Sequence, residues 1–268
     1  MPIILLCLIP VYAALAVFVW HWQRCRSEQD YPVKFELGVL CPTLLLHGAV
    51  LLMPVVQNQM LITGFGYAVS LIAWLMLMMY CLGSFFYNLR GVQLLLYPCA
   101  VLLLLLGILF PGNGVGYKID HLPFILHIGA SLLAYGLFGI VTLFAVLNLM
   151  LSHSLRKRKF SPLANFLPPL LSLEKIMFRG MWVGFILLSY SVVSGTFFSE
   201  EVFGKPFTFT HKSVFGIISW LIYGSLLLKH HLAALRGKKA AIWTMLGFVS
   251  LLLAYVGSKF VLEVILHR

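Results

Sequence analysis

The chain has 268 residues, of which 61% are hydrophobic and 10% charged, and its mean hydropathy is +0.99. A soluble globular domain does not normally reach such values, so the composition excludes that class and favours a membrane protein. The formal net charge of +11 would suit nucleic-acid binding, so the placement of the basic residues decides its meaning.

Runs of about 20 apolar residues predict transmembrane helices. We expect eight of them, in an all-α polytopic bundle, because the runs are continuously apolar rather than alternating as in a β-barrel. The first run lacks a basic segment and a small-residue cleavage site, so we keep it as a span. No hydrophilic domain lies between the spans, so we predict one membrane domain over residues 1–268. The eight predicted spans are 3–22, 35–56, 64–87, 92–110, 123–151, 177–198, 211–232 and 240–263.

The basic residues follow the odd-numbered spans. Of the 19 Lys and Arg, all but Lys118, Lys205, Lys212, Lys259 and Arg268 come after spans one, three, five and seven. This asymmetry is the positive-inside signal and predicts that both termini face away from the cytoplasm. We therefore expect the charge to contact anionic lipid head groups and not nucleic acid.

The connections carry little chemistry of their own. The longest, 152–176, is basic and then proline-interrupted, which favours a connector in the membrane interface over a docking surface for a partner. The outer connections, 57–63, 111–122 and 199–210, are too short for a domain. The five cysteines form no CxxC and are expected to be packing residues. Glu36 and Glu263 are expected near helix ends, which disfavours a proton or cation pump.

His47 is the most informative residue, because it stands in the interior of span two. An ionisable side chain there costs several kcal/mol unless it meets a partner, a cavity or a metal. Imidazole is also a good ligand of haem iron. The alternative is a histidine hydrogen-bonded to another helix.

Span five places His127, Ser131 and Tyr135 on one helix face, where Ser131 could orient an imidazole. The helical rise puts His47 ~15–18 Å and His127 ~24 Å above the cytoplasmic side, so they pair more easily with each other than with His230. For His127, as for His211, His230 and His231, the alternative is an interfacial residue solvated by head groups.

Several segments in this order resemble the cytochrome c assembly proteins of the CcsA type. HLPFILHIGASLLAYGLFGIVTLFAVL is similar to their helix with a His before Ser and Tyr, and KSVFGIISWLIYGSLLLKHH is similar to their KETWAFITW helix through Lys212 and Trp220. MLGFVSLLLAYVGSKFVLEVILH resembles their last helix, and SLIAW their SLIFLSW. LPPLLSLEKIMF and LAYVGSKFVLEVIL are closer to the compact YpjD-like and HemX-like branch.

The resemblance implies haem handling. It matches His47 with a membrane histidine and His127 with the first outer histidine. His230 lies two positions farther from Trp220 than the family's second membrane histidine, and His267 lies one position out of register with the second outer one. The tryptophan-rich WWD segment is replaced by SEEVFGKPFTFTHKS, which keeps Lys212 and offers Phe203, Phe207 and Phe209.

These observations predict an inner-membrane protein that binds or handles haem b through His47 and His127, during cytochrome c biogenesis. The further expected ligands are His211 and His230, with Ser131 and Tyr135 in the same site. Expected partners are the lipid bilayer, haem, and apocytochrome or other assembly proteins. We expect no covalent catalysis. The alternative is a scaffold or regulator of tetrapyrrole metabolism that keeps the fold without haem transfer.

Overall fold

The structure, a computed structural model, describes residues 2–25, 31–112, 115–118, 121–157, 167–200, 208–233 and 235–265. Eight long helices lie within these residues, and each overlaps one expected span, so the predicted all-α architecture is confirmed. They are α1 (Pro2–Cys25), α2 (Val33–Asn58), α3 (Phe65–Ser84), α4 (Gln93–Leu109), α5 (Leu122–Arg156), α6 (Leu170–Phe197), α7 (His211–Ala233) and α8 (Gly237–Leu252).

Among the described helices, seven are long and apolar enough to cross a membrane, counting α8 as far as Gly257. The eighth, α4, is apolar but has only 17 residues. The protein is therefore polytopic, while eight crossings remain a prediction. The connector expected over 152–176 is shorter than predicted, because α5 continues to Arg156 and α6 already begins after Pro169. Residues 158–166 of that connector lie outside the described residues.

A short antiparallel ribbon joins two of the expected outer connections. Strand β1 (Met60–Thr63) pairs with β2 (Val115–Lys118), with Met60 opposite Lys118. Gln59 ends α2 in the left-handed conformation, with φ of 51°, and turns the chain into β1. We call this side of the bundle the ribbon end. The sequence did not reveal this pairing, since it joins segments about fifty residues apart.

The opposite side, which we call the basic end, collects the connections after α1, α3, α5 and α7. There Glu174, at the start of α6, accepts a hydrogen bond of 3.2 Å from the backbone N–H of Gly237, at the start of α8. The last described helical turns return to the ribbon end, where Glu263 accepts a bond of 2.7 Å from the backbone N–H of Phe65. Both ends of the described chain thus lie on the ribbon side.

Helix α3 lies between α2 and α5. Its residues Ser70, Trp74 and Cys81 contact α2. Leu75 and Met76 instead pack against Gly136 and Gly139 of α5. At 100° per residue these two sets point roughly 170° apart around the helix, so α3 separates α2 from α5 along this stretch.

Helix α8 continues in wider π-helical turns, over Leu253–Gly257 and Phe260–Ile265. The hydroxyl of Tyr135 donates to the carbonyl of Leu251, at 2.5 Å, just before the first wide turn. A side chain that takes a helix carbonyl disturbs the regular ladder of hydrogen bonds. Tyr135 therefore anchors α5 at the point where the last helix changes its winding.

Candidate functional site

His47 is completely buried, with 0% of its surface exposed. Its Nδ1 lies 3.1 Å from the hydroxyl of Tyr12 on α1, and its Nε2 lies 3.1 Å from the hydroxyl of Ser70 on α3. Each hydroxyl can donate or accept, so one neutral tautomer of the imidazole satisfies both bonds. In this packing His47 links three helices, and neither nitrogen is available to a metal unless one of these bonds breaks.

His47 and His127 lie at a similar depth but do not share a site. Ser70, the partner of His47, is five residues inside the ribbon end of α3, and His127 is five residues inside the ribbon end of α5. The polar contacts of His47 go to α1 and α3, whereas those described for His127 go to α6. Because α3 lies between α2 and α5, one iron could join the two imidazoles only after a helix had moved.

His127 is half-buried at the ribbon end, where its ring packs against α6. Its Nδ1 lies 2.7 Å from the hydroxyl of Ser194, which in turn donates to the carbonyl of Tyr190 at 2.7 Å. Because that hydroxyl gives its hydrogen to the carbonyl, it accepts from the ring, which assigns the imidazole proton to Nδ1. The lone pair is then on Nε2, the arrangement that a metal-binding imidazole requires.

Gly195 allows this close approach of α6 to the ring. A Cβ atom at this position would lie 3.0 Å from Cε1 of His127, closer than ordinary van der Waals contact. In the segment SYSVVSGT, Ser194 therefore bonds the ring of His127 and Gly195 leaves space for it.

The other two residues of the predicted face have separate roles. Ser131 bonds the backbone carbonyl of His127 at 2.6 Å and the hydroxyl of Ser191 at 2.6 Å. The hydroxyl that contacts the His127 imidazole thus belongs to Ser194, and not to Ser131 as expected. Tyr135 bonds the carbonyl of Leu251, as described above, and its ring meets Tyr255 edge-on at 6.5 Å.

His211 and His230 lie at opposite ends of α7. His211 is the first residue of the helix, exposed at the ribbon end. His230 stacks on Phe178, with ring centroids 3.5 Å apart, and its Nδ1 donates to the carbonyl of Leu235 at 2.9 Å. These contacts close the turn after α7 at the basic end. His230 therefore lies at the end opposite to His127, and His267 is outside the described residues.

Helix α7 contains the other residues that carried the sequence resemblance. The indole of Trp220 donates to Ser189 at 2.8 Å and stacks on Phe185 at 5.7 Å. The ammonium of Lys212 lies 5.6 Å from the ring centroid of Tyr255. These contacts hold α7 against α6 and the last helical turns. Phe209 is 79% exposed just before α7, while Phe203 and Phe207 lie outside the described residues.

A family model described as the cytochrome C assembly protein matches residues 40–266. The chain belongs to this family. It is a multi-pass protein of the bacterial inner membrane, as its apolar helices and its inner-membrane relatives show, and membership of the family supports a role in cytochrome c biogenesis. The match includes every predicted site residue, from His47 to His230.

Relatives of known name cover parts of this region. The inner membrane protein YpjD of Escherichia coli is 30% identical over 178 residues, 66% of each chain. The protein HemX of Brevibacillus brevis is 28% identical over 131 residues, 49% of this chain and 48% of its own. The cytochrome c biogenesis protein CcsA of Prochlorococcus marinus is 31% identical over 88 residues, 33% of this chain and 28% of its own. The chain thus spans just under two thirds of the YpjD protein and less of the others.

The residues that sequence reasoning missed are the partners of the histidines. Tyr12, Ser70 and Ser194 lie inside apolar spans, and each bonds an imidazole. The signal that could have found them is an isolated hydroxyl at mid-span, but many such hydroxyls only bond the preceding turn of their own helix. Glu36 lies near a helix end as expected, but its complete burial was not foreseen from the sequence.

Proposed function

We propose that this protein binds haem b at the ribbon end of the bundle during cytochrome c biogenesis, with His127 as an axial ligand. The geometry of His127 carries the proposal. Its ring is oriented by Ser194, its lone pair is assigned to Nε2, and it is half-buried rather than enclosed. A bound haem would supply the iron centre, and the chain would supply the imidazole that holds it.

The surroundings of His127 suit an apolar macrocycle. Next to it on α5, Ile125 and Leu126 are 46% and 50% exposed, and at the end of α6 Phe197 is 82% exposed. Large apolar side chains at one end of a bundle provide a wall for a porphyrin and keep water from the iron. A site that is exposed at the ribbon end also fits a haem that is passed to a partner such as apocytochrome or another assembly protein.

His47 does not fit a haem ligand in the packing described. Both of its nitrogens are hydrogen-bonded, and none of its surface is exposed. The predicted His47–His127 pair therefore requires α3 to move and Ser70 to release the ring. The pair stays a separate prediction. It would be supported if His47→Ala and His127→Ala each remove the same haem spectrum.

The visible spectrum of the purified protein tests the proposal. We expect a Soret band that shifts on reduction with dithionite, after haem addition if the preparation is colourless. His127→Ala should abolish it, and added imidazole should partly restore it by filling the open iron position. His230→Ala is the matched control, because His230 lies at the basic end and should leave the band intact. A wild-type protein that shows no Soret band of bound haem in haem titrations would refute the proposal.

The second candidate function is a membrane scaffold or regulator of tetrapyrrole metabolism that does not bind haem. The saturated hydrogen bonding of His47 favours it, because a structural histidine needs no metal. The absence of a tryptophan-rich segment between spans six and seven also favours it. This function would be supported if the wild-type protein binds no haem and the His127→Ala variant retains its fold.

A further inference from the structure

Glu36 lies in the first turn of α2 and is enclosed by phenols, with 0% of its surface exposed. Its Oε1 accepts hydrogen bonds from Tyr80, at 3.0 Å, and from Tyr97. Its Oε2 accepts from Tyr31 at 2.9 Å and from the amide of Gln93 at 3.5 Å. We call these five residues the tyrosine cage. It joins α2, α3, α4 and the residues before α2 at the basic end.

The cage stabilises a negative charge and supplies no positive one. Four neutral donors contact the two carboxylate oxygens. Burial, and after it the charge of Glu36, raise the pKa of Tyr31, so this phenol stays protonated and donates. Among the residues that the structure describes, no Lys, Arg or His side chain forms an ion pair with Glu36. A buried charge without a counter-charge costs several kcal/mol, so a bound cation would be stabilising.

Gln93 provides an independent sign of a missing ligand. Its Nε2 contacts Glu36, but its Oε1 is buried and has no hydrogen-bond partner, although the side chain is only 1% exposed. Buried carbonyl oxygens are almost always satisfied, so an orphan one calls for a donor or a cation. The orphan oxygen belongs to the same amide group whose nitrogen contacts the carboxylate, so it lies at the edge of the cage.

A cavity at the basic end borders the cage at two of its residues. Gln93 and Tyr80 line a cavity of about 390 Å³, together with Ser84, Asn88 and Arg90. This volume holds an ion with several waters.

We infer that the tyrosine cage binds an alkali cation, Na⁺ or K⁺, that enters through this cavity. The available ligands are all oxygens, the Gln93 carbonyl and the phenol lone pairs, and they lie beside the Glu36 carboxylate. Oxygen ligands select hard cations over soft or thiophilic metals. A single carboxylate gives the site one negative charge, which matches a monovalent ion, whereas protein sites for Ca²⁺ usually use several carboxylates. The inference does not depend on haem binding.

Thermal unfolding of the full chain in detergent tests the inference. The wild type is compared in NaCl, KCl and choline chloride at equal ionic strength and fixed pH, and binding is measured by calorimetric titration with NaCl and KCl. We expect the unfolding midpoint to rise with Na⁺ or K⁺ and to saturate, because a ligand that binds only the folded state stabilises it by mass action. Choline, which cannot enter an oxygen cage, should have no effect.

Three variants locate the response. Glu36→Gln should abolish it, and Gln93→Met, which keeps the carboxylate and removes the orphan oxygen, should weaken cation affinity roughly tenfold. Glu174→Gln is the matched control, since Glu174 is another buried carboxylate at the basic end, bonded to the Gly237 backbone. It should respond to cations like the wild type. If Glu36→Gln does not fold, the Gln93→Met titration decides.

Equal midpoints in Na⁺, K⁺ and choline would overturn the inference. A cation response that survives Glu36→Gln, or one that Gln93→Met leaves unchanged, would place the ion elsewhere and overturn it as well.

Discussion

Removing one hydroxyl should weaken haem binding without removing the ligand. In Ser194→Ala, the Nδ1–H of His127 loses the acceptor that fixes the orientation of its ring. One neutral hydrogen bond contributes about 1 kcal/mol, and loss of a partner that orients a metal ligand weakens metal binding by roughly 10- to 100-fold. His127 is only half-buried, so the freed N–H can reach water or head groups. We therefore expect the lower bound, a roughly tenfold weaker affinity for haem.

The assay is a haem titration followed at the Soret band, with wild type, Ser194→Ala and His127→Ala. Ser225→Ala is the matched control, because Ser225 is exposed and bonds only the Ile222 carbonyl of its own helix, at 2.9 Å. The expected order of affinity is wild type equal to Ser225→Ala, then Ser194→Ala, then His127→Ala. If Ser194→Ala binds like the wild type while His127→Ala does not bind, the ring is not oriented by Ser194 and the tautomer argument is wrong.

Three further results are expected. Ser70→Ala should leave the buried Nε2 of His47 unpartnered and lower the free energy of unfolding by about 1–3 kcal/mol, measured by denaturant titration; an unchanged value would mean that water replaces the hydroxyl. Cys41 and Cys81, whose sulfur atoms lie 3.5 Å apart, should form a cross-link under mild oxidation. The cross-link is detected by mass spectrometry after alkylation, with Cys41→Ser as the control, and free thiols after oxidation would contradict this packing. A reporter fused after Lys239 should be cytoplasmic and one at the C-terminus periplasmic, and the reverse pattern would overturn the charge argument.

The hypothesis of a His47–His127 pair shows where one-dimensional reasoning stops. Counting residues along helices gives depth well, because the rise per residue is constant. It gives no information on which helix lies between two others. Here α3 presents Ser70 to His47 and, on its far side, Leu75 to α5. The order of helices around the bundle depends on long-range packing that no local pattern encodes.

Glu36 shows the same limit for charge. Its position near a helix end was predicted correctly, but the sequence alone gave no indication of what surrounds it. The phenols that enclose it come from residue 31, from α3 and from α4, separated by up to 66 positions. Only the tertiary structure brings these phenols together around the Glu36 carboxylate and buries it.

The sequence by itself determined the all-α membrane class and the family, because membrane spans and family motifs are local patterns. It also singled out the histidines, since a titratable group is costly in lipid. The tertiary structure alone decided their partners: Ser194 and Gly195 for His127, Tyr12 and Ser70 for His47, and four donors for Glu36. The reason is that hydrogen bonds between helices join residues far apart in the chain, and a lone polar residue in an apolar span does not reveal which helix its partner is on.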